Sequence, residues 1–265
     1  MFTFSANLST LFTEVPFLNR FAKAKQAGFA CIEFQFPYEI EPELIKREME
    51  LHQLKLVLFN FPPGNWQKGD RGISICADRQ QEFRDSVEEA IRYAKTLNCP
   101  RLHCMAGILP NGWEEKEAWQ VYKENLRFAA ARLADHQITL LIEPINRYDM
   151  PGYLLSDLKH AYELICELDM PNVKIQYDFY HMQRIQGELI ASYQTYKDAI
   201  GHIQIADNPG RHEPGTGEIN YPNIFRFLKE IGYEGYIGLE YTPKESSDTS
   251  FKWLADAVDL ARRGV

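Results

Sequence analysis

Four stretches of this chain run apolar and then stop at a side chain that offers oxygen. Leu140-Leu141-Ile142 stops at Glu143, Val173 to Tyr177 at Asp178, Ile200 to Ile203 at Gln204, and Tyr236 to Leu239 at Glu240. The stopping residues lie 35, 26 and 36 positions apart, about the length of one strand, loop, helix and loop. Successive parallel strands of one sheet would bring all four to the same end. Three carboxylates and an amide supply oxygen only, the donor set of Mg²⁺ or Mn²⁺ rather than of a structural zinc. Without a cation, converging carboxylates repel and raise one another's pKa, and a divalent ion resolves that conflict. Each carboxylate taken alone equally suits capping the following helix. The four in phase favour a shared site.

Other residues join this set with less force. His181, three residues after Asp178 at the start of a helix, suits a substrate contact or a helix cap. His103 reads first as a packed core histidine and second as a substrate contact. His202 shares a strand face with Gln204, one pleat deeper, which suits a core or supporting histidine better than a ligand. Glu33 faces either the mouth or solvent, and strand parity leaves both open. In the segment 206–220, Arg211 sits among Pro209, Gly210, Pro214 and Gly215 and offers a planar fork to a substrate carboxylate, or pairs with Glu213 at the surface. Trp66, Lys68 and Arg71 occupy the longest stretch without periodicity, Asn60 to Ala77. They suit a lid with cationic contacts to substrate, or exposed residues of a mobile loop.

The elements that must position these residues follow a βα rhythm. Strands are expected at Phe2 to Leu8, Cys31 to Phe36, Leu54 to Phe59, Arg101 to Met105, from Leu140, Val173 to Asp178, Ile200 to Gln204 and Tyr236 to Glu240. Helices are expected at Val15 to Ala27, Glu41 to Gln53, Ala77 to Leu97, Glu114 to Leu133, after a Ser156 cap, near His181, at Pro222 up to Gly232, and at Asp248 to Arg262. Eight such units in 265 residues predict a single α/β domain over 1–265, a (β/α)8 TIM barrel with its site at the C-terminal strand ends. An open doubly wound sheet would want a Gly-rich turn after the first strand, where Asn7-Leu8-Ser9-Thr10 stands instead.

A net charge of −8 without a basic tract disfavours nucleic acid as the partner. No apolar run reaches the roughly 20 residues of a membrane span, so membrane partners are not expected. Five cysteines without C-x-x-C spacing, and no signal-peptide pattern, suggest a reducing cytoplasm.

Beyond these readings, the chain resembles the hydroxypyruvate isomerase family of xylose-isomerase-like barrels, close to the 2-oxo-tetronate isomerases, over nearly its whole length. The resemblance is carried by Asn7 to Phe17 (NLSTLFTEVPF), His103 to Gly107 (HCMAG), Leu141 to Asn146 (LIEPIN), Gln176 to His181 (QYDFYH), His202 to Asp207 (HIQIAD), Arg211 to Tyr221 (RHEPGTGEINY) and Ile237 to Tyr241 (IGLEY). It implies a metal on Glu143, Asp178, Gln204 and Glu240, with Glu143 and Glu240 passing the proton. Many related sugar epimerases carry His where Gln204 stands, so this departure favours the hydroxypyruvate branch.

The implied reaction moves a carbonyl between adjacent carbons through a cis-enediolate, converting hydroxypyruvate to tartronate semialdehyde. The expected cofactor is therefore a divalent metal, Mg²⁺ or Mn²⁺, and the expected partner a small hydroxy-keto acid. Whether the chain forms a homo-oligomer is open. A 2-oxo-tetronate isomerase or a ketose 3-epimerase would use the same parts. An endonuclease on this barrel would want several zinc-binding histidines and a basic surface, and a sugar-acid binding barrel would need no pair of proton-transferring glutamates.

Overall fold

The computed structural model describes residues 2–255 and 257. Eight strands pair in parallel, each with the next in sequence and the last with the first, so the sheet closes into a barrel. They are β1 (Thr3–Asn7), β2 (Cys31–Glu33), β3 (Lys55–Asn60), β4 (Arg101–His103), β5 (Thr139–Ile142), β6 (Val173–Asp178), β7 (Ile200–Ile205) and β8 (Tyr236–Leu239). The α-helices are α1 (Arg20–Gln26), α2 (Pro42–His52), α3 (Gln80–Leu97), α4 (Glu115–Ala134), α5 (Leu158–Leu168), α6 (Phe179–Ile185), α7 (Leu189–Tyr196) and α8 (Tyr221–Glu230). No described helix is long and apolar enough to cross a membrane.

A strand covered on both faces must be apolar in nearly every position, and β3 buries five consecutive residues from Leu56 to Asn60. The helices are apolar on one stripe only. In α3, Phe83, Val87, Ala90, Ile91, Ala94 and Leu97 face the barrel at helical spacing. Pro42 fits the first turn of α2, where no N–H is needed, and Asn220 caps α8 by accepting from Asn223 N.

The departures from the sequence reading are local. Asp157, not Ser156, caps α5, its carboxylate accepting from His160 N. The first helix opens with a 3₁₀ turn at Phe17–Asn19, because Pro16 stands in extended backbone just before it. The connection from β6 to β7 holds two helices, α6 and α7, separated at Gly187 and Glu188, both in left-handed backbone. Of the last expected helix, Asp248 to Arg262, the stretch up to Lys252 is turn and 253–255 and 257 are helical, while 256 and 258–262 lie outside the described residues.

Candidate active site

The register of the barrel lines up the strand ends. Asp178 is level with Gln204, and Gln204 is level with Gly238, two residues before Glu240. Pro144 follows Glu143 and takes the chain out of β5. Glu143, Asp178, Gln204 and Glu240 are all at most 5% exposed. Glu143 and Glu240 line one small cavity, about 60 Å³, together with Gln35, Asn60, His181 and Arg211.

Arg211 reaches this cavity from the loop after β7. Its Nη2 donates to Asp178 Oδ2 at 3.2 Å and to Glu240 Oε2 at 3.0 Å. The alternative surface pair with Glu213 does not form; that carboxylate instead accepts from Lys244 N. The loop is hung on Asp207, a fully buried residue whose carboxylate accepts from the backbone N–H groups of Asn208, Gly215, Gly217 and Ile219. Arg211 itself holds a left-handed backbone, φ 55°, which a residue of its size adopts only when its surroundings dictate it.

Across the cavity Glu143 is poorly served. Its Oε1 is buried without a hydrogen-bond partner among the described residues. His103 Nε2 lies 3.7 Å from Glu143 Oε2, and His181 Nε2 lies 3.9 Å from Oε1, both too long for hydrogen bonds. Ligand atoms of Glu143, Asp178 and His181 fall within 4.8 Å of one another.

Burial first, and then the charges of Glu240 and Asp178, push Glu143 well above the usual carboxylate range. Burial likewise raises Asp178 to about 7 against the opposing pull of Arg211. Glu240 rises for the same reason, with Arg211 and the amide of Gln35 opposing. His103 is driven down to about 3 by burial and by His202, and His181 is pushed well below 6.5 by burial and by Arg211. Both imidazoles are therefore neutral at neutral pH. Three carboxylates and one guanidinium leave a formal charge of −2 at the mouth, which one divalent cation would balance.

A second polar layer lies beside this one. Glu33, whose orientation strand parity left open, points inward and is fully buried. Its oxygens accept from Ser5 Oγ at 2.8 Å, Asn7 Nδ2 at 3.2 Å, His202 Nε2 at 3.0 Å and Gln204 Nε2 at 2.7 Å. Gly238 makes room for it, since a Cβ there would collide with the Glu33 carboxylate. Gln204 is thus oriented by its nitrogen, while its oxygen accepts from Gln176 Nε2 at 2.6 Å.

The expected contacts Lys68 and Arg71 are not brought into the cavity. Lys68 is exposed, and Arg71 stacks 3.7 Å over the Trp66 ring and donates to Trp66 O and Asp70 O. Only part of that loop is free of the barrel. Ser74 donates to Met105 O and Ala106 O and is held from behind by Asn125, while Gly72 packs against the Met105 backbone where no Cβ fits. The sequence reading also passed over Gln35, which donates to Glu240 Oε1 at 2.7 Å, and Asn146, which lies 2.7 Å from His181 Nδ1. Asn146 had a usable signal, an amide three residues beyond Glu143 at a strand end.

Comparison with known proteins places the fold in a family. The family model described as xylose isomerase-like TIM barrel matches residues 21–257. The chain is 46% identical to the hydroxypyruvate isomerase of Escherichia coli (strain K12), over 96% of this chain and 98% of that protein. It is 43% identical to the 2-oxo-tetronate isomerase of Pectobacterium atrosepticum, over 94% and 95% of the two chains. A crystal structure described as AP endonuclease, family 2, from Brucella melitensis superposes with a TM-score of 0.94 at 45% identity, covering 97% of this chain and 99% of that one.

Proposed function

The chain belongs to the xylose isomerase-like TIM barrel family, and from that premise we propose that it is an isomerase of short hydroxy-keto acids, interconverting hydroxypyruvate and tartronate semialdehyde. The observation that carries this reading is Glu143. It is a buried carboxylate with a bare oxygen and a raised pKa, set in one small cavity with a second carboxylate, Glu240, whose partners are an amide and a guanidinium.

The reaction moves one proton between neighbouring carbons. Glu143, whose Oε1 is buried without a hydrogen-bond partner among the described residues, takes the proton from the hydroxymethyl carbon. An enediol results. Glu240 returns a proton to the former carbonyl carbon, while the hydroxyl proton passes between the two oxygens. Gln35 and Arg211 hold Glu240 in place from two sides. Arg211 faces the cavity with a fork suited to the acid's carboxylate.

The oxygen donors and the uncompensated charge fit a divalent metal held by Glu143, Asp178 and Glu240 together with Gln204, whose amide oxygen also accepts from Gln176. Mg²⁺ or Mn²⁺ bound there would polarise the ketone and acidify the adjacent C–H. The Pectobacterium relative favours a second reading, the same proton transfer on a four-carbon 2-oxo acid. A DNA-cleaving role is disfavoured by the acidic charge and by a site cluster with a single histidine among the described residues.

Proton NMR in D₂O tests the reading, with Mg²⁺- or Mn²⁺-loaded enzyme offered three- and four-carbon keto acids and a neutral ketose. Solvent deuterium should enter hydroxypyruvate and tartronate semialdehyde should form, and EDTA should stop both. Absence of exchange into every acid would overturn the proposal.

A further inference from the structure

Asn146 lies three residues beyond Glu143 and is fully buried. Its Oδ1 accepts from the backbone N–H groups of Tyr148 at 3.1 Å and Asp149 at 3.0 Å. A backbone amide nitrogen can only donate, so the atom facing both of them is the oxygen, and the side-chain amide cannot be turned over. Its nitrogen therefore faces Asp149 Oδ2 at 3.0 Å and His181 Nδ1 at 2.7 Å. One amide proton goes to each. Nδ1 must then be bare, because a ring N–H would meet the amide N–H head on. An imidazole with a bare Nδ1 is neutral and carries its proton on Nε2, the nitrogen that faces Asp178 Oδ2 at 3.7 Å and Glu143 Oε1 at 3.9 Å.

We propose that Asn146 is a positioning residue that fixes His181 as the Nε2–H tautomer, so that the cavity receives from it a neutral hydrogen-bond donor and not a metal ligand. Position alone would suggest the opposite, since His181 stands with two carboxylates at coordinating distance. A histidine that ligates a metal through Nε2 turns its Nδ1–H toward an acceptor such as a carboxylate or carbonyl. Here the group behind the ring is a donor, with its oxygen engaged elsewhere. The cation would accordingly be held by oxygens alone. On the isomerase reading given above, the N–H is free to serve a substrate oxygen that gains charge as the proton leaves. Being uncharged, it does so without repelling the cation.

Long-range ¹H–¹⁵N correlation spectra of the Mg²⁺-loaded full chain, labelled at histidine, test this directly, with His181→Gln identifying the ring. His181 should show an unprotonated Nδ1 and a protonated Nε2. Asn146→Asp keeps an acceptor for the two backbone N–H groups and presents an acceptor to Nδ1. It should swap the two nitrogen shifts and lower kcat for hydroxypyruvate about 10²-fold, with KM changing far less. A protonated Nδ1 on this ring in the unsubstituted chain would overturn the proposal even if Asn146→Asp failed to fold. Unswapped shifts in a folded Asn146→Asp protein would overturn the part assigned to Asn146. Failure of the isomerase reading would show separately, as no turnover of hydroxypyruvate, and the nitrogen shifts would still decide the tautomer.

Discussion

Two buried carboxylates within one barrel meet opposite treatment. Glu33 is fully buried and has four donors on its two oxygens, contributed by β1 and β7, with Gly238 of β8 leaving space for it. Glu143 is equally enclosed, yet one of its oxygens has no partner and its nearest neighbours include two more acids. Burying an ion is costly wherever it happens, and hydrogen bonds from fixed donors are the usual compensation. A fold able to surround Glu33 so completely had the means to satisfy Glu143. The difference separates a charge that the chain balances for itself from one left for a cation and a substrate.

The comparison breaks most visibly through activity. Glu143→Gln should lower kcat by at least ~10²-fold, the scale of a lost general base, while thermal stability stays level or rises because a poorly solvated anion has gone. A melting temperature that falls as sharply as activity would mean that Glu143 also braces the fold. Glu33→Ala should show the reverse emphasis, with about 3–5 kcal/mol lost in chemical denaturation, since His202, Gln204, Ser5 and Asn7 keep their donors and lose the acceptor. Native stability in that variant, with catalysis abolished, would move Glu33 into the reacting set.

The smallest effect is a pH slope in the metal-free protein. Asp178 is raised from 3.8 to about 7, and Glu143 and Glu240 move in the same direction. A carboxyl group with a higher pKa in the folded chain binds protons more tightly there. It therefore adds stability below its unfolded pKa and loses it as pH rises through the folded value. Melting temperature should fall from about pH 4 to about pH 7 after chelation, and Mg²⁺ should flatten the slope. A rising melting temperature over that window would show that Arg211 already compensates the three acids.

Much of this arrangement was legible because it depends on periodicity. Apolar runs ending in Glu143, Asp178, Gln204 and Glu240 at intervals of 35, 26 and 36 are a property of the chain itself, and the closed barrel was read from eight alternating strand and helix units. Glu33 escaped because β2 is only three residues long and its pairing with β3 slips between Ile32 and Glu33, so a period of two has nothing to lock onto. Lys68 and Arg71 looked like substrate contacts because a charged loop carries no record of what it packs on. Arg71 found Trp66 within its own turn, a local contact that needs no substrate. Asn146 and Gln35 meet His181 and Glu240 only through contacts that folding makes across 35 and 205 residues, and the one local hint was the place of Asn146 three residues beyond Glu143.

Gly238 carries an evolutionary consequence. Because a Cβ at that position would occupy the Glu33 carboxylate, the two sites cannot drift independently. Any larger residue at 238 is harmful while Glu33 is present and becomes acceptable only after position 33 has shortened, yet shortening 33 first strands four donors. The double replacement would relieve the crowding and still leave the four donors without their acceptor. The two positions are thus coupled in substitution, and a change at either is felt by the polar layer beside the site.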